Sequence, residues 1–252
     1  MSEHTYELPL NERLRTFMRV EFLYKRLKYA LESEDTWAIR SSVNTLLEIY
    51  SILSRTDVRR EVIFDLDRYI FQMTQYQGST MVNKERAQEI NSKLESLKKK
   101  VDQVGTGYLS QIRDIEFVSS LLHRHTLPGG RAEFDMPKYK FWLNSGLNRT
   151  RSDLREWVDV VKPVCDSIDQ ILWLLRESAE AISTVAINGL YNHQIERNSQ
   201  ITLVRIFLNK NSVFPEISGG KHLISIRFLN WAKTDENTTQ ENKNIRFKIS
   251  LC

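Results

Sequence analysis

The residues with chemical potential are few and scattered. Ser218-Gly219-Gly220-Lys221 resembles the end of a phosphate-binding loop. That loop needs a further Gly separated from its Gly-Lys by four residues, and a hydroxyl residue after it. Here position 215 is Pro and position 222 is His, and a strand pattern follows instead of a helix, so the segment reads as a β-turn. His123-Arg124-His125 places two imidazoles near a predicted helix end, but no His-x-x-x-His or Cys pair completes a zinc site. They read as surface histidines where a helix C-terminus favours cations. Cys165 lies in an apolar helical pattern and Cys252 is the last residue, so no disulfide framework is expected and both fit a reducing compartment. Asp65 and Asp67 sit on a charged helix, where a solvated face is the default expectation. Nucleophile motifs are absent. We therefore expect no enzyme, no cofactor and no metal.

What remains is basic and aromatic. The 252 residues carry a net charge of +4, with a pI near 9.0 and a mean hydropathy of -0.42. The surplus is local. From Ser183 onward there are 9 Lys+Arg against 5 Asp+Glu, whereas the preceding residues hold 27 of each. One cluster lies on the first helix (Arg13, Arg15, Arg19, Lys25, Arg26, Lys28). A second, at Arg124, Arg131, Lys138, Lys140, Arg149 and Arg151, is interleaved with Phe134, Tyr139, Phe141 and Trp142. A third, in the predicted strands, holds Arg205, Lys221, Arg227, Arg246 and Lys248. Such groups suit an acidic peptide or a nucleic acid. No apolar run approaches the roughly 20 residues of a membrane span. The first residues lack a signal-peptide pattern. A cytoplasmic protein that does not engage the membrane is expected.

The elements that must position these groups change character along the chain. Apolar periodicity predicts a first helix over residues 11–31, with Leu14, Phe17, Met18 and Phe22 on one side. Helices over 35–55 and from 57 follow, with Asp35 and Asp57 as N-caps. Ala87, Ile90, Leu94, Leu97, Val101 and Val104 make a heptad seam, suited to a helix pair inside the bundle or to a contact across a dimer. A fifth helix is predicted over 108–125, ended by Leu127-Pro128-Gly129-Gly130. An irregular stretch follows over 131–151. The last helix begins at Ser152, and Pro163 is expected to kink or break it. After Ala181 the period falls to two, predicting about four strands (183–190, 201–208, 223–229 and 245–251). Thr5-Tyr6-Glu7-Leu8 can add another. The fold class is α+β: an N-terminal helical bundle domain over 9–182, followed by a mostly antiparallel β-sheet domain over 183–252, to which residues 1–8 can contribute. The residues alone thus describe a basic adaptor, and leave open a nucleic-acid-binding one. Helix-turn-helix, RRM and zinc-finger signatures, which would favour the latter, are absent.

Several segments carry a resemblance. They are Pro9-Leu10-Asn11-Glu12-Arg13-Leu14-Arg15-Thr16-Phe17-Met18-Arg19-Val20-Glu21-Phe22-Leu23, Leu127-Pro128-Gly129-Gly130, Phe134-Asp135-Met136-Pro137, Trp142-Leu143, Asn188-Gly189-Leu190-Tyr191, Pro215-Glu216-Ile217-Ser218-Gly219 and Ile226-Arg227-Phe228. In this order and spacing they resemble the ZapD family of bacterial cell-division proteins. The resemblance implies a non-enzymatic, homodimeric cytoplasmic protein recruited to the septum at midcell. It implies binding to the C-terminal tail of FtsZ and bundling of FtsZ filaments, with no nucleic-acid partner. By position it implies tail contacts from Arg19, Arg113 and Lys140, and secondarily from Lys221 and Arg227, near the junction of the domains. Where the family pattern has a basic residue this chain has Glu116. Where it has His, Lys140 keeps the positive charge.

Overall fold

The computed structural model describes residues 3–33, 35–77, 84–196, 199–209, 212–220 and 222–252. Helices come first and antiparallel sheets follow, so the protein is α+β. The chain divides into two compact units: Thr16–Leu172, and Met1–Arg15 with Trp173–Cys252. Among the described residues no helix is long and apolar enough to cross a membrane.

The helical elements are α1 (Glu12–Glu32), α2 (Thr36–Leu53), α3 (Val58–Gln77), α4 (Lys84–Val104), α5 (Ser110–Arg113), α6 (Glu116–His123), α7 (Pro137–Leu143) and α8 (Leu147–Glu177). At the start of α1, Asn11 Oδ1 accepts the Leu14 N–H at 2.8 Å, a capping bond. Asp57 caps α3 in the same way, through the Arg60 N–H. Asp35 holds the N-cap position of α2 without a side-chain bond. The buried side of α1 is Leu14, Phe17, Val20, Tyr24 and Leu27. Phe22, expected on that side, is 66% exposed, because the 3.6-residue period carries it off the stripe through Val20 and Tyr24.

The α4 seam is used within the chain. Leu94 and Val101 are fully buried and α4 packs along α3. Arg59 of α3 donates to the Val101 carbonyl at 3.0 Å. Asp65, expected on a solvated face, is buried beside Arg68. The predicted fifth helix is two short ones, α5 and α6, separated at Asp114-Ile115. Pro163 does not interrupt α8. Its missing N–H and ring clash cost about 3 kcal/mol. Complete burial of Val161, Val164, Cys165 and Ile168 around it opposes that cost.

The strands number more than four and form two sheets. They are β1 (His4–Pro9), β2 (Ile182–Ala186), β3 (Leu190–Gln194), β4 (Leu203–Leu208), β5 (Val213–Gly219), β6 (Leu223–Asn230), β7 (Thr239–Gln240) and β8 (Ile245–Leu251). One sheet has the order β1-β4-β8-β2, the other β3-β6-β5 with β7 also on β6. The predicted strand 183–190 is split by a tight turn. Asn188 and Gly189 both take positive φ, and Ile187 and Leu190 exchange backbone hydrogen bonds of 3.0 and 2.9 Å. β5 contains Pro215 and lies at a sheet edge, where a missing N–H breaks no ladder. The inner faces share one core: Val204, Ile206 and Leu208 from β4, Ile224, Ile226 and Phe228 from β6, and Ile245, Phe247 and Ile249 from β8.

On the outer face of the first sheet, Glu7 accepts from Arg176 Nε and Nη2 and from Arg205 Nε, all at 2.9 Å. Arg205 also donates to the Arg176 carbonyl at 2.8 Å. This network ties β1 to β4 and to the end of α8.

Candidate functional site: a basic–aromatic face

The stretch 131–151, expected to be irregular, contains α7. Pro137 opens it at the first helical position, where a missing N–H costs nothing. Tyr139, Trp142 and Leu143, spaced three and four apart, are buried, leaving Lys138, Lys140 and Phe141 outward. At seven residues the helix is too short for periodicity to reveal it.

The buried side of α7 rests on an aromatic cluster. Trp142 lies 5.5 Å from both Phe117 of α6 and Trp157 of α8, and 5.9 Å from Tyr139, centroid to centroid. Its indole N–H donates to Asp153 Oδ2 at 2.7 Å, which satisfies the one polar atom it buries. Burial pushes the Tyr139 hydroxyl up to about 12, so it stays a neutral donor.

Around this cluster, cations and carboxylates alternate. Glu133 bridges two elements: its Oε1 accepts from Arg40 Nη2 of α2 at 2.6 Å, and its Oε2 lies 3.0 Å from Lys140 Nζ. The bond to Lys140 and its charge, with Arg40 adding to them, hold the Glu133 carboxyl below the usual carboxylate range. The Arg40 guanidinium sits 5.2 Å from the Trp37 ring and 5.5 Å from the Tyr139 ring. Lys138 donates to Glu116 at 3.2 Å, and Arg124 pairs with Asp135 at 3.5 Å. Three large aromatics project into solvent from the same segments: Trp37 (74% exposed), Phe134 (85%) and Phe141 (71%). A face of paired charges among exposed apolar side chains can bind a peptide. It holds no nucleophile–base pair.

The residues implied by resemblance are distributed as follows. Lys140 lies in this face. Glu116 lies beside it, and Lys138 supplies a cation at that point. Arg113 ends α5, exposed, with Asp114 as its partner at 3.2 Å. Arg19 is exposed on α1 and pairs with none of the described residues. Arg227 belongs to the other unit, where it lies directly across β5–β6 from Glu216 and pairs with it. Lys221 lies outside the described residues. Most other cations of the first helix are engaged locally: Arg15 with Glu12, Lys25 with Glu21, Arg26 with Glu48 and Lys28 with Asp169.

Sequence reasoning missed Arg40 and Trp37. They lie on α2, distant in sequence from the basic–aromatic stretch, and only the fold brings Arg40 to Glu133 and Tyr139. It also left His125 as a surface residue. Its Nδ1 accepts from Arg131 Nη1 at 2.8 Å, and burial, with Arg131 beside it, lowers its pKa.

The family model described as "ZapD: Cell division protein" matches residues 18–227. The chain is 31% identical over 248 residues to the cell division protein ZapD of Methylococcus capsulatus, covering 98% of this chain and 97% of that protein. It is 32% identical over 254 residues to ZapD of Bordetella petrii, covering 98% of each. Against ZapD of Nitrosomonas eutropha the identity is 28% over 251 residues, again with 98% of each chain covered.

Proposed function

The chain belongs to the ZapD family of cell division proteins, and from that premise we propose that it binds the C-terminal tail of FtsZ and, as a homodimer, cross-links FtsZ filaments at the division septum. It does so in the cytoplasm, as a binding protein and not as an enzyme. The observation that carries this reading is the face around α7, where Arg40, Lys138 and Lys140 stand among exposed Trp37, Phe134 and Phe141. A flexible acidic tail is steered by the cations and anchored by apolar contact. Arg19 and Arg113 are further proposed tail contacts, with Lys221 and Arg227 as secondary ones. Two copies of such a face in one dimer join two filaments, and many tails per filament turn weak contacts into strong bundling. Interleaved Glu116, Glu133 and Asp135 oppose a nucleic-acid backbone, which prefers an unbroken cationic track.

Fluorescence anisotropy with a labelled FtsZ tail peptide tests the contact. Saturable binding that weakens with salt is expected. Absence of binding at low salt would remove the proposal.

A further inference from the structure

The geometry points to Glu133 as a built-in competitor for the acidic partner: Arg40 and Lys140 hold its carboxylate where a carboxylate of the incoming peptide binds. This rests on the peptide-binding reading above and adds Arg40 to that site.

The two sides of the contact differ in how firmly they are placed. Arg40 is the fixed side. Its side chain is only 18% exposed, and its guanidinium is held near the rings of Trp37 and Tyr139. A cation immobilised in this way has already lost its rotamer freedom, so exchanging one carboxylate for another costs it little. Glu133 is the movable side. It is half-exposed and lies in the turns between Gly130 and Pro137, outside any helix or strand. The exchange replaces one carboxylate with another on both cations, and the Lys140 pair that it breaks is solvent-exposed and of small worth.

The segment also carries the chemistry of the partner. Glu133-Phe134-Asp135 is an acidic–aromatic–acidic run whose carboxylates occupy Arg40, Lys140 and Arg124, while Phe134 projects outward. The chain thus places a short acidic peptide of its own on the cations. The partner class that fits is an extended peptide with carboxylates flanking an apolar side chain.

The test is anisotropy with a fluorescein-labelled FtsZ tail peptide on the full chain at low ionic strength, comparing wild type, Glu133→Gln, Arg40→Gln and the double variant. Glu95→Gln on α4 controls for net charge. Glu133→Gln should tighten binding about two- to fivefold, the scale of one exposed ion pair, and the gain should shrink in 0.5 M salt. Glu95→Gln should change it less. Arg40→Gln should weaken binding, and the double variant should show no gain over Arg40→Gln. Unchanged or weaker binding by Glu133→Gln, or a gain that persists without Arg40, overturns the inference while tail binding by wild type stands. No wild-type binding removes both. Melting temperatures of all variants identify any loss that comes from unfolding.

Discussion

Lys140 Nζ lies 3.0 Å from Glu133 Oε2, so a residue implied to contact a partner is already paired within its own chain. The same carboxylate is held by Arg40. Binding at this face is therefore an exchange of partners and not the filling of an empty cationic site. Affinity per contact stays modest under such conditions, which suits a protein acting through many tails at once.

Lys140→Glu places a second carboxylate beside Glu133 and reverses the potential of the face. Tail-peptide affinity should fall roughly tenfold at low salt. Both side chains are exposed, so the melting temperature should stay within about 2 °C. Arg19→Glu should act the same way and more weakly. Calorimetric titration checks the first number and a thermal melt the second. A loss of binding that tracks a loss of stability would reassign Lys140 to structure.

Arg205→Ala removes one of the two guanidinium groups on Glu7, together with the donor to the Arg176 carbonyl, at a partly buried position. The expected cost is about 1–3 kcal/mol, read as a lower urea midpoint. Tail binding, measured below the melting transition, should not change.

Gly189 and Gly105 separate backbone strain from collision. Both take positive φ, at 71° and 72°. A Cβ at Gly189 would stand 2.2 Å from the Glu241 carbonyl oxygen, whereas one at Gly105 meets nothing within 4 Å. Gly105→Ala should cost about 1 kcal/mol from conformation alone. Gly189→Ala should cost clearly more, because the backbone of 241 must move. Equal melting temperatures for the two variants would contradict this.

Burial, with Arg131 donating to its Nδ1, places the His125 pKa in the fold below the ordinary value near 6.5. Below that value the unfolded chain binds a proton that the folded chain refuses. Its contribution to stability is therefore present above about pH 6.5 and declines as pH falls from there toward the lower folded pKa. In His125→Gln, the slope of unfolding free energy against pH should be reduced in this window. An unchanged slope would show that neither burial nor the Arg131 contact perturbs the imidazole.

The long helices and the change to two-residue alternation after Ala181 were legible, because a period repeated over many residues is a strong signal. The second sheet was not. Nothing local says that the strands on the two sides of the Asn188-Gly189 turn join different sheets. α7 was hidden because seven residues opened by a Pro show only two helical turns. At the site, Lys140 was legible through resemblance, whereas Arg40, ninety-three residues from Glu133, becomes part of it only through folding. Arg205 looked like a member of a basic patch and is instead a partner of Glu7. Charge alone does not distinguish a binding cation from a structural one.

The most direct measurement of the central claim is co-sedimentation of FtsZ polymers with the purified chain, using full-length FtsZ and FtsZ lacking its C-terminal tail. The account predicts more pelleted polymer for full-length FtsZ and no increase for the tail-deleted form. Equal bundling of both forms would contradict it.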